Sequence, residues 1–149
     1  MASNDTPKTV ELYGVGIQHE ALCTDAAITP GMLVTRTATG VRPHNVAGAA
    51  ASPAFACENG MIGRGITDTY ATGDQVTYKT YAAGSGIYAI LAASQTIAVG
   101  AYLASNGAGA LRAAAAEENI VAQAVEAVTT TGAVARIRVE VVSGYVSAA

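Results

Sequence analysis

The stretch Ile28-Thr29-Pro30-Gly31-Met32-Leu33-Val34, which turns at Gly40 into Val41-Arg42-Pro43, decides the fold class of this chain. It consists of an apolar residue, two further residues, a glycine, a short apolar strand, a glycine turn and a second short strand. Related phrases span residues 70–91 and 97–112. Glycine permits the positive φ angles of tight turns, and short apolar strands need an inner face on which to pack. The repeated phrase therefore predicts β-hairpins and indicates a scaffold surface more than a reaction centre.

Strand-like segments continue through the rest of the chain. Residues 54–58 alternate in polarity before the turn dipeptide Asn59-Gly60, and residues 120–128 are rich in valine, which favours strands. Spacings of about 8–12 residues between such segments are typical of sandwiches and barrels. We therefore predict an all-β fold, a small β-barrel or β-sandwich of about ten short antiparallel strands with glycine-rich hairpins.

The final strand has the clearest alternation. Ile137, Val139 and Val141 alternate with two arginines and a glutamate. Side chains of a strand point to opposite faces in turn, so these three residues are expected to face the core and the charged ones to face outward. Phe55, which is the single phenylalanine of the chain, is a predicted core anchor.

The chain divides into three parts by its patterning. Residues 1–8 are polar without periodicity and predict a flexible N-terminal arm, residues 9–142 form a single β domain, and residues 143–149 form a C-terminal tail. Within the domain, residues 44–53 are small and unpatterned and predict a mobile loop. We expect the arm and this loop to become ordered when a partner binds. Residues 113–119 fit either a single helical turn or a loop.

Composition restricts the partners. The 149 residues include 51% hydrophobic and 13% charged residues and no tryptophan. A surface with few charged groups loses little solvation when it meets another protein, which favours a chain that works in contact. A net charge of −3 with eight scattered basic residues argues against nucleic acid and membrane partners. The N-terminus lacks a signal-peptide pattern, so we expect the protein to be made and used without export.

Two cysteines and two histidines are the candidates for a metal site or a disulfide. Cys23 and Cys57 can pair only if their backbones approach each other, and free, partly buried thiols are the expectation. His19 and Cys23 are four residues apart, a spacing that aligns them only on a helix, and no second close pair supports a metal site with His44 and Cys57. We expect no cofactor.

Nucleophilic catalysis has one conceivable constellation, which combines Cys57 with His44 and Asp68. Cys57 lies among alanines in an alternating strand, where a thiol is usually an inert small hydrophobic group. Asp68 and Asp74 flank a glycine turn, where aspartate commonly caps the backbone. We therefore predict that the protein is not an enzyme.

Candidate contact residues come from flexibility, low charge and tyrosine content. Tyrosine offers apolar area and one hydroxyl, which makes it a frequent interface anchor, although cross-strand packing within one subunit uses it equally well. Tyr145 is favoured as an exterior contact because it lies beyond the last predicted strand. The predicted contact residues are Thr6, Pro7, Lys8, Asn45, Val46, Ala49, Tyr81 and Tyr145.

The order and spacing of these pieces resemble the head-decoration, or cement, proteins of tailed bacteriophages. The pieces that carry the resemblance are residues 28–34, 40–44, 53–59, 65–76, 98–103, 110–112 and 136–141. The resemblance covers roughly residues 26–142 and rests on their order, since each piece alone occurs in many β proteins.

The resemblance implies a structural protein on the outer surface of the virion, assembled in the host cytoplasm. Such proteins bind the mature capsid and clamp neighbouring major capsid subunits, often as homo-oligomers, with a trimer favoured here and a dimer possible. No catalytic residues accompany the resemblance. The alternative function is a β-sandwich module for carbohydrate binding or adhesion, which the absence of tryptophan makes less favoured.

Overall fold

The computed structural model describes residues 6–148 and confirms the all-β prediction. The described residues form thirteen strands and one turn of 3-10 helix, Gly60–Ile62, and they include no helix long and apolar enough to cross a membrane. The strands are β1 (Glu11–Tyr13), β2 (Gly16–Leu22), β3 (Val34–Arg36), β4 (Val41–Pro43), β5 (Ala54–Ala56), β6 (Gln75–Tyr81), β7 (Gly86–Leu91), β8 (Thr96–Ile97), β9 (Tyr102–Ser105), β10 (Leu111–Ala113), β11 (Asn119–Ala124), β12 (Val128–Thr129) and β13 (Ala135–Tyr145). Residues 113–119, whose sequence fits either a helical turn or a loop, contain the end of β10, a turn and the start of β11.

The larger sheet contains six strands in the order β1-β7-β10-β9-β11-β13, and β13 also pairs with β7. The pairings that start at β7 and pass through β10, β9, β11 and β13 therefore return to β7. Leu91 of β7 pairs with Leu111 of β10 in parallel, whereas the other ladders of this sheet are antiparallel. This one parallel link departs from the predicted antiparallel pairing, because the β9–β10 hairpin fixes the direction of β10.

Three smaller sheets complete the fold. One has the order β2-β6-β5, and β3–β4 and β12–β8 form two-stranded ribbons. The predicted hairpin at residues 28–43 is confirmed by the pairing of Val34 with Pro43, and the one at residues 97–112 by the pairing of Ser105 with Leu111. Both contain short turns that keep the two strands within reach of each other.

The predicted hairpin at residues 70–91 is wrong. Its two strands lie in different sheets, since β6 pairs with β2 and β5 while β7 pairs with β1, β10 and β13. The connection between them is a corner: Gly84 donates its N–H to Val141 O at 2.8 Å, and the N–H of Val141 bonds to Ser85 O at 2.9 Å. Long-range bonds to the last strand therefore replace the local pairing that the turn residues suggested.

The N-terminal stretch of residues 11–22 also divides between two sheets. Residues 11–13 pair with β7, whereas residues 16–22 pair with β6. Gly14 has a φ of +103°, and a Cβ there would overlap the side chain of Ser85, so the bend between the strands requires glycine. As a result His19 lies in strand β2, which ends at Leu22, and not on the helix that would align it with Cys23.

Two buried apolar clusters hold the sheets together. The larger lies on the inner side of the six-stranded sheet and includes Phe55, which is fully buried as predicted. The smaller lies between β3, β4 and the three-stranded sheet and contains Cys23, Tyr70 and Tyr78. Both cysteines are buried and free, as expected from the sequence.

The final strand confirms the predicted alternation and corrects its end. Ile137, Val139 and Val141 are 0–3% exposed and face the larger cluster. The strand continues to Tyr145, which pairs with Asn119 of β11, so residues 143–145 belong to the sheet and not to a tail. Backbone pairing carries the strand past the point where its apolar alternation stops.

Candidate interaction surface

Tyr81, one of the predicted contact residues, is 3% exposed and packs mainly in the core, although part of its side chain lines a surface groove. Its hydroxyl lies 3.2 Å from Cys57 Sγ, and its ring centre lies 6.3 Å from that of Phe55. Burial raises the pKa of the Tyr81 hydroxyl far above its usual value. Strand β6 lies between β2 and β5, and the face of β6 that carries Tyr81 packs against the larger apolar cluster.

Residues 44–53, predicted to be a mobile loop, form neither helix nor strand and are held by hydrogen bonds at several points. His44 is buried, with Nδ1 2.7 Å from Ser105 Oγ and Nε2 3.3 Å from the carbonyl oxygen of Ala50. The carbonyl can only accept, so Nε2 donates to it, and in the neutral tautomer Nδ1 then accepts from Ser105. Further along, the N–H of Gly48 bonds to Ser105 O at 3.0 Å. Asn45 and Val46 remain exposed between these anchors.

Gly48 also joins this loop to the end of the last strand. Its carbonyl accepts the backbone N–H of Asn119 at 3.0 Å, and Asn119 pairs with Tyr145. Tyr145 is 59% exposed and Val46 is 54% exposed. The predicted contact residues of the loop and of the C-terminal strand are therefore gathered at one end of the molecule.

A second loop, residues 114–118, borders the same end. Both terminal guanidinium nitrogens of Arg112 donate to the Glu118 carboxylate, at 2.9 Å from Nη1 to Oε2 and 2.5 Å from Nη2 to Oε1. The hydrogen bonds from Arg112 and from the N–H of Ala115 lower the pKa of the Glu118 carboxyl. The side chain of Glu118 lies where a Cβ on Gly48 would lie, so the two loops are in contact.

An apolar groove of about 260 Å³ lies on this side of the molecule. Ala51 and Pro53 line it from the anchored loop, Ile120 and Val142 line it from the paired strands β11 and β13, and Tyr81 contributes from the core. No charged residue lines it. We name as the groove end the groove together with the two segments that line it, the anchored loop with its exposed Asn45 and Val46 and strand β13 with its exposed Tyr145.

Sequence reasoning missed Ile120 and Val142. A signal for Val142 was available on the outward face of the final strand, where Arg136, Arg138 and Glu140 are followed by an apolar residue. An apolar residue that follows charged residues on the outward face of a strand is a candidate contact position. Ile120 carries no such signal, because its position becomes part of the groove only through the pairing of β11 with β13.

Most charges of the described residues are already neutralised within the chain. Five of the eight basic side chains form ion pairs with carboxylates, and Arg136 donates to the carbonyls of Ile66 and Tyr88. The ion pairs are Arg42–Asp25, Arg64–Asp74, Lys79–Glu11, Arg112–Glu118 and Arg138–Glu126. A surface with paired charges carries little net field to attract a polyanion.

The predicted contact residues of the N-terminal arm remain untested. Thr6 and Lys8 are exposed and Pro7 is half-buried, whereas residues 1–5 of the arm lie outside the described residues. The chain becomes anchored at Val10, which is buried and donates its N–H to Glu58 Oε2 at 3.0 Å.

The residues of the conceivable catalytic constellation have separate partners. Cys57 contacts Tyr81, His44 contacts Ser105, and Asp68 accepts the N–H of Gly65 at 2.6 Å. Burial raises the pKa of the Cys57 thiol to about 11, which leaves it protonated at neutral pH. Among residues 6–148, no three His, Cys, Asp or Glu side chains are grouped as metal ligands would be.

No family model and no curated protein sequence matches the chain.

Proposed function

We propose that this protein is a structural decoration, or cement, protein that binds the outer surface of a mature phage head and clamps neighbouring major capsid subunits. The observation that carries the proposal is the groove end, where an uncharged groove is lined by the loop that carries exposed Val46 and by the strand that carries exposed Tyr145. Protein interfaces combine a charge-poor core with aromatic anchors, and both are present here.

The mechanism is collective. One groove of this size contributes a modest binding free energy, but a shell presents the same junction many times. Each bound copy favours the intact, bound arrangement of capsid subunits over the separated one, in proportion to its occupancy. Many ordinary contacts can therefore delay rupture of a shell under internal pressure. Oligomerisation, with a trimer favoured over a dimer, would multiply the contacts of each copy.

Co-sedimentation with mature capsids that lack the protein tests the proposal directly. Saturable binding, together with a higher temperature of capsid rupture, is the expected result. The ratio of bound copies to capsid subunits then distinguishes trimeric, dimeric and monomeric sites. Absence of binding would contradict the proposal, and a shift of the melting temperature with glycans would instead support the carbohydrate-binding alternative.

Two groove variants sharpen the test. Val142→Asp and Ile120→Asp each place a charge in the groove, and each is expected to weaken capsid binding at least about tenfold, because the carboxylate loses solvation in the contact. Val134→Asp is the matched control, since Val134 is 60% exposed in the turn before β13 and outside the groove. Equal weakening by all three variants would show that the groove has no special part in binding.

A further inference from the structure

The strand β2 forms one edge of its sheet, and β6 is its one paired strand among residues 6–148. Hydrogen bonds at its two ends show which backbone groups this pairing uses. Ala82 donates to Val15 O at 2.9 Å, and Cys23 donates to Asp74 O at 2.8 Å. Because bonding alternates along an antiparallel ladder, the odd-numbered residues between these ends bond to β6.

The even-numbered residues therefore direct their backbone N–H and C=O groups away from β6. Those of Gly16, Gln18 and Glu20 form an open edge, which ends near Leu22, where Gly40 lies against the carbonyl. The neighbouring Ile17 is 65% exposed. A row of unpaired donors and acceptors on a strand edge is a template for a further strand.

A projecting apolar turn lies on the same face of the sheet as the side chains of Gln18 and Glu20. Met61 is 97% exposed and Ile62 is 67% exposed, and both line a groove of about 310 Å³ together with Gln18 and Glu20. The turn is held in place by its backbone, since the N–H of Ile62 bonds to Asn59 O at 3.3 Å. A strand added at the edge would present alternate side chains on the face of Gln18 and Glu20, beside this turn.

The groove beside the edge is acidic. Glu20 and Glu58 both line it, and Glu20 is exposed and outside every ion pair of the described residues. A protein commonly protects an edge by placing charge on it, and Glu20 excludes strands that carry an acidic residue opposite. The same charge favours a strand that carries a basic one.

We propose that the β2 edge binds an extended segment of a partner protein by strand addition. The segment carries a basic side chain opposite Glu20 and, two residues away on the same face, an apolar side chain that packs on Met61 and Ile62. Backbone bonds to Gly16, Gln18 and Glu20 supply affinity, and the two side chains supply selectivity. The inference rests on the proposed function for its natural source, an extended arm of a capsid subunit.

A peptide titration tests the edge without capsids. The probe is acetyl-Thr-Lys-Thr-Val-Thr-Lys-amide, added up to millimolar concentration to the full chain labelled with ¹⁵N. The expected result is saturable shifts of the Gly16, Gln18 and Glu20 amide signals. A peptide N-methylated at alternate amides is expected to bind at least about tenfold more weakly, because it cannot complete the ladder. Absence of saturable shifts at these amides, or equal binding of the methylated peptide, would overturn the inference.

Substitutions at the edge separate backbone pairing from side-chain contact. Gln18→Pro removes an outward N–H without removing a bond to β6, and it is expected to weaken the probe about tenfold. Gln18→Ala is the matched control and is expected to bind as the parent does. Glu20→Lys changes an exposed position and is expected to bind the probe more tightly when glutamate replaces its lysine residues. This variant tests the site even if the proline variant does not fold. Failure of Glu20→Lys to change the charge preference would contradict the assigned register.

Capsid binding distinguishes failure of this inference from failure of the proposed function. If the parent chain and a folded Gln18→Pro variant bind capsids equally, the edge inference is wrong while the cement function stands. If the parent binds no capsid, the proposed function is wrong and the peptide titration alone decides the edge. Concentration-dependent shifts at the same three amides without peptide would show pairing with a second copy and would overturn the assigned occupant.

Discussion

Arg112 and Glu118 form a two-armed ion pair across six residues, with an Nη1–Oε2 distance of 2.9 Å, and the pair closes the loop between β10 and β11. The carboxylate also accepts the N–H of Ala115 at 2.8 Å. Parallel bonds between a guanidinium and a carboxylate fix geometry as well as charge. The pair therefore keeps residues 114–118 in one shape beside the groove end.

Replacing Glu118 with glutamine tests the strength of this pair. We expect Glu118→Gln to lower the free energy of unfolding by about 1–2 kcal/mol at pH 7, because a neutral amide replaces a charge-assisted acceptor. Urea unfolding followed by circular dichroism measures the change. Glu117→Gln is the neighbouring control, since Glu117 is exposed and has no role in the pair.

The same variant should lose its effect in acid. The native pKa of Glu118 lies below its ordinary value of 4.5, so the pair contributes fully above pH 4.5. Its contribution falls as the pH drops through the lowered native pKa, because both folded and unfolded chains then carry a protonated carboxyl. The gap between parent and variant should close in that range, whereas a constant gap would indicate a packing effect.

The two thiols are predicted to be unreactive in the folded protein. Cys23 is 1% exposed and Cys57 is 5% exposed, and the pKa of Cys57 is raised to about 11. Ellman's reagent at pH 8 should label neither thiol in the native protein and both in denaturant. Rapid labelling of one thiol in the native state would mean that its surroundings open readily.

Gly40 is predicted to be essential for packing the first hairpin on β2. A Cβ at this position would overlap the carbonyl oxygen of Leu22 and lie 2.7 Å from Thr24 Cγ2. Gly40→Ala should destabilise the protein by about 1–3 kcal/mol, because backbone atoms must shift to admit the methyl group. Gly132→Ala is the control, since nothing lies within 4 Å of its Cβ position, and it should change stability by less than about 0.5 kcal/mol. Thermal unfolding of both variants compares the two effects, and equal effects would contradict the contact.

The anchored loop predicts a pattern of hydrogen exchange in the free protein. The amides of Gly48 and Asn119 donate to Ser105 O and Gly48 O, and both should exchange slowly. The exposed Val46 and Ala47 should exchange quickly. Fast exchange at Gly48 and Asn119 in the free protein, with protection only on capsids, would restore the original expectation of a loop ordered by its partner.

Sequence reasoning succeeded where the signal is local. The inward set Ile137, Val139 and Val141 follows from alternation alone, and the hairpin at Gly40 follows from its turn. It failed at residues 84–86, whose glycines suit a tight turn but where Gly84 and Ser85 form backbone hydrogen bonds with the distant Val141. A turn residue reports the conformation of its own backbone and carries no information about which distant strand completes the bonds.

The candidate surface was predictable only in part. Flexibility, low charge and position predicted Val46, Ala49 and Tyr145 as contact residues. In the structure their segments meet at one end of the molecule, because Gly48 bonds to Asn119 and Asn119 pairs with Tyr145. Tyr81 was named on the same grounds and is buried, since the inward face of β6 depends on the strands beside it. Whether a tyrosine near a turn is exposed therefore depends on the strands that pack around it, and the turn sequence alone does not show it.

By itself the sequence determined the all-β class and the inward face of the last strand, because alternation and turn chemistry act over a few neighbouring residues. Tertiary structure decided which strands pair, where residues 13–16 and 81–86 change sheets, and which loops meet at the groove end. Those features depend on backbone hydrogen bonds between residues far apart in the chain. Many such pairings satisfy the same local pattern, and only the packing of the whole molecule selects among them.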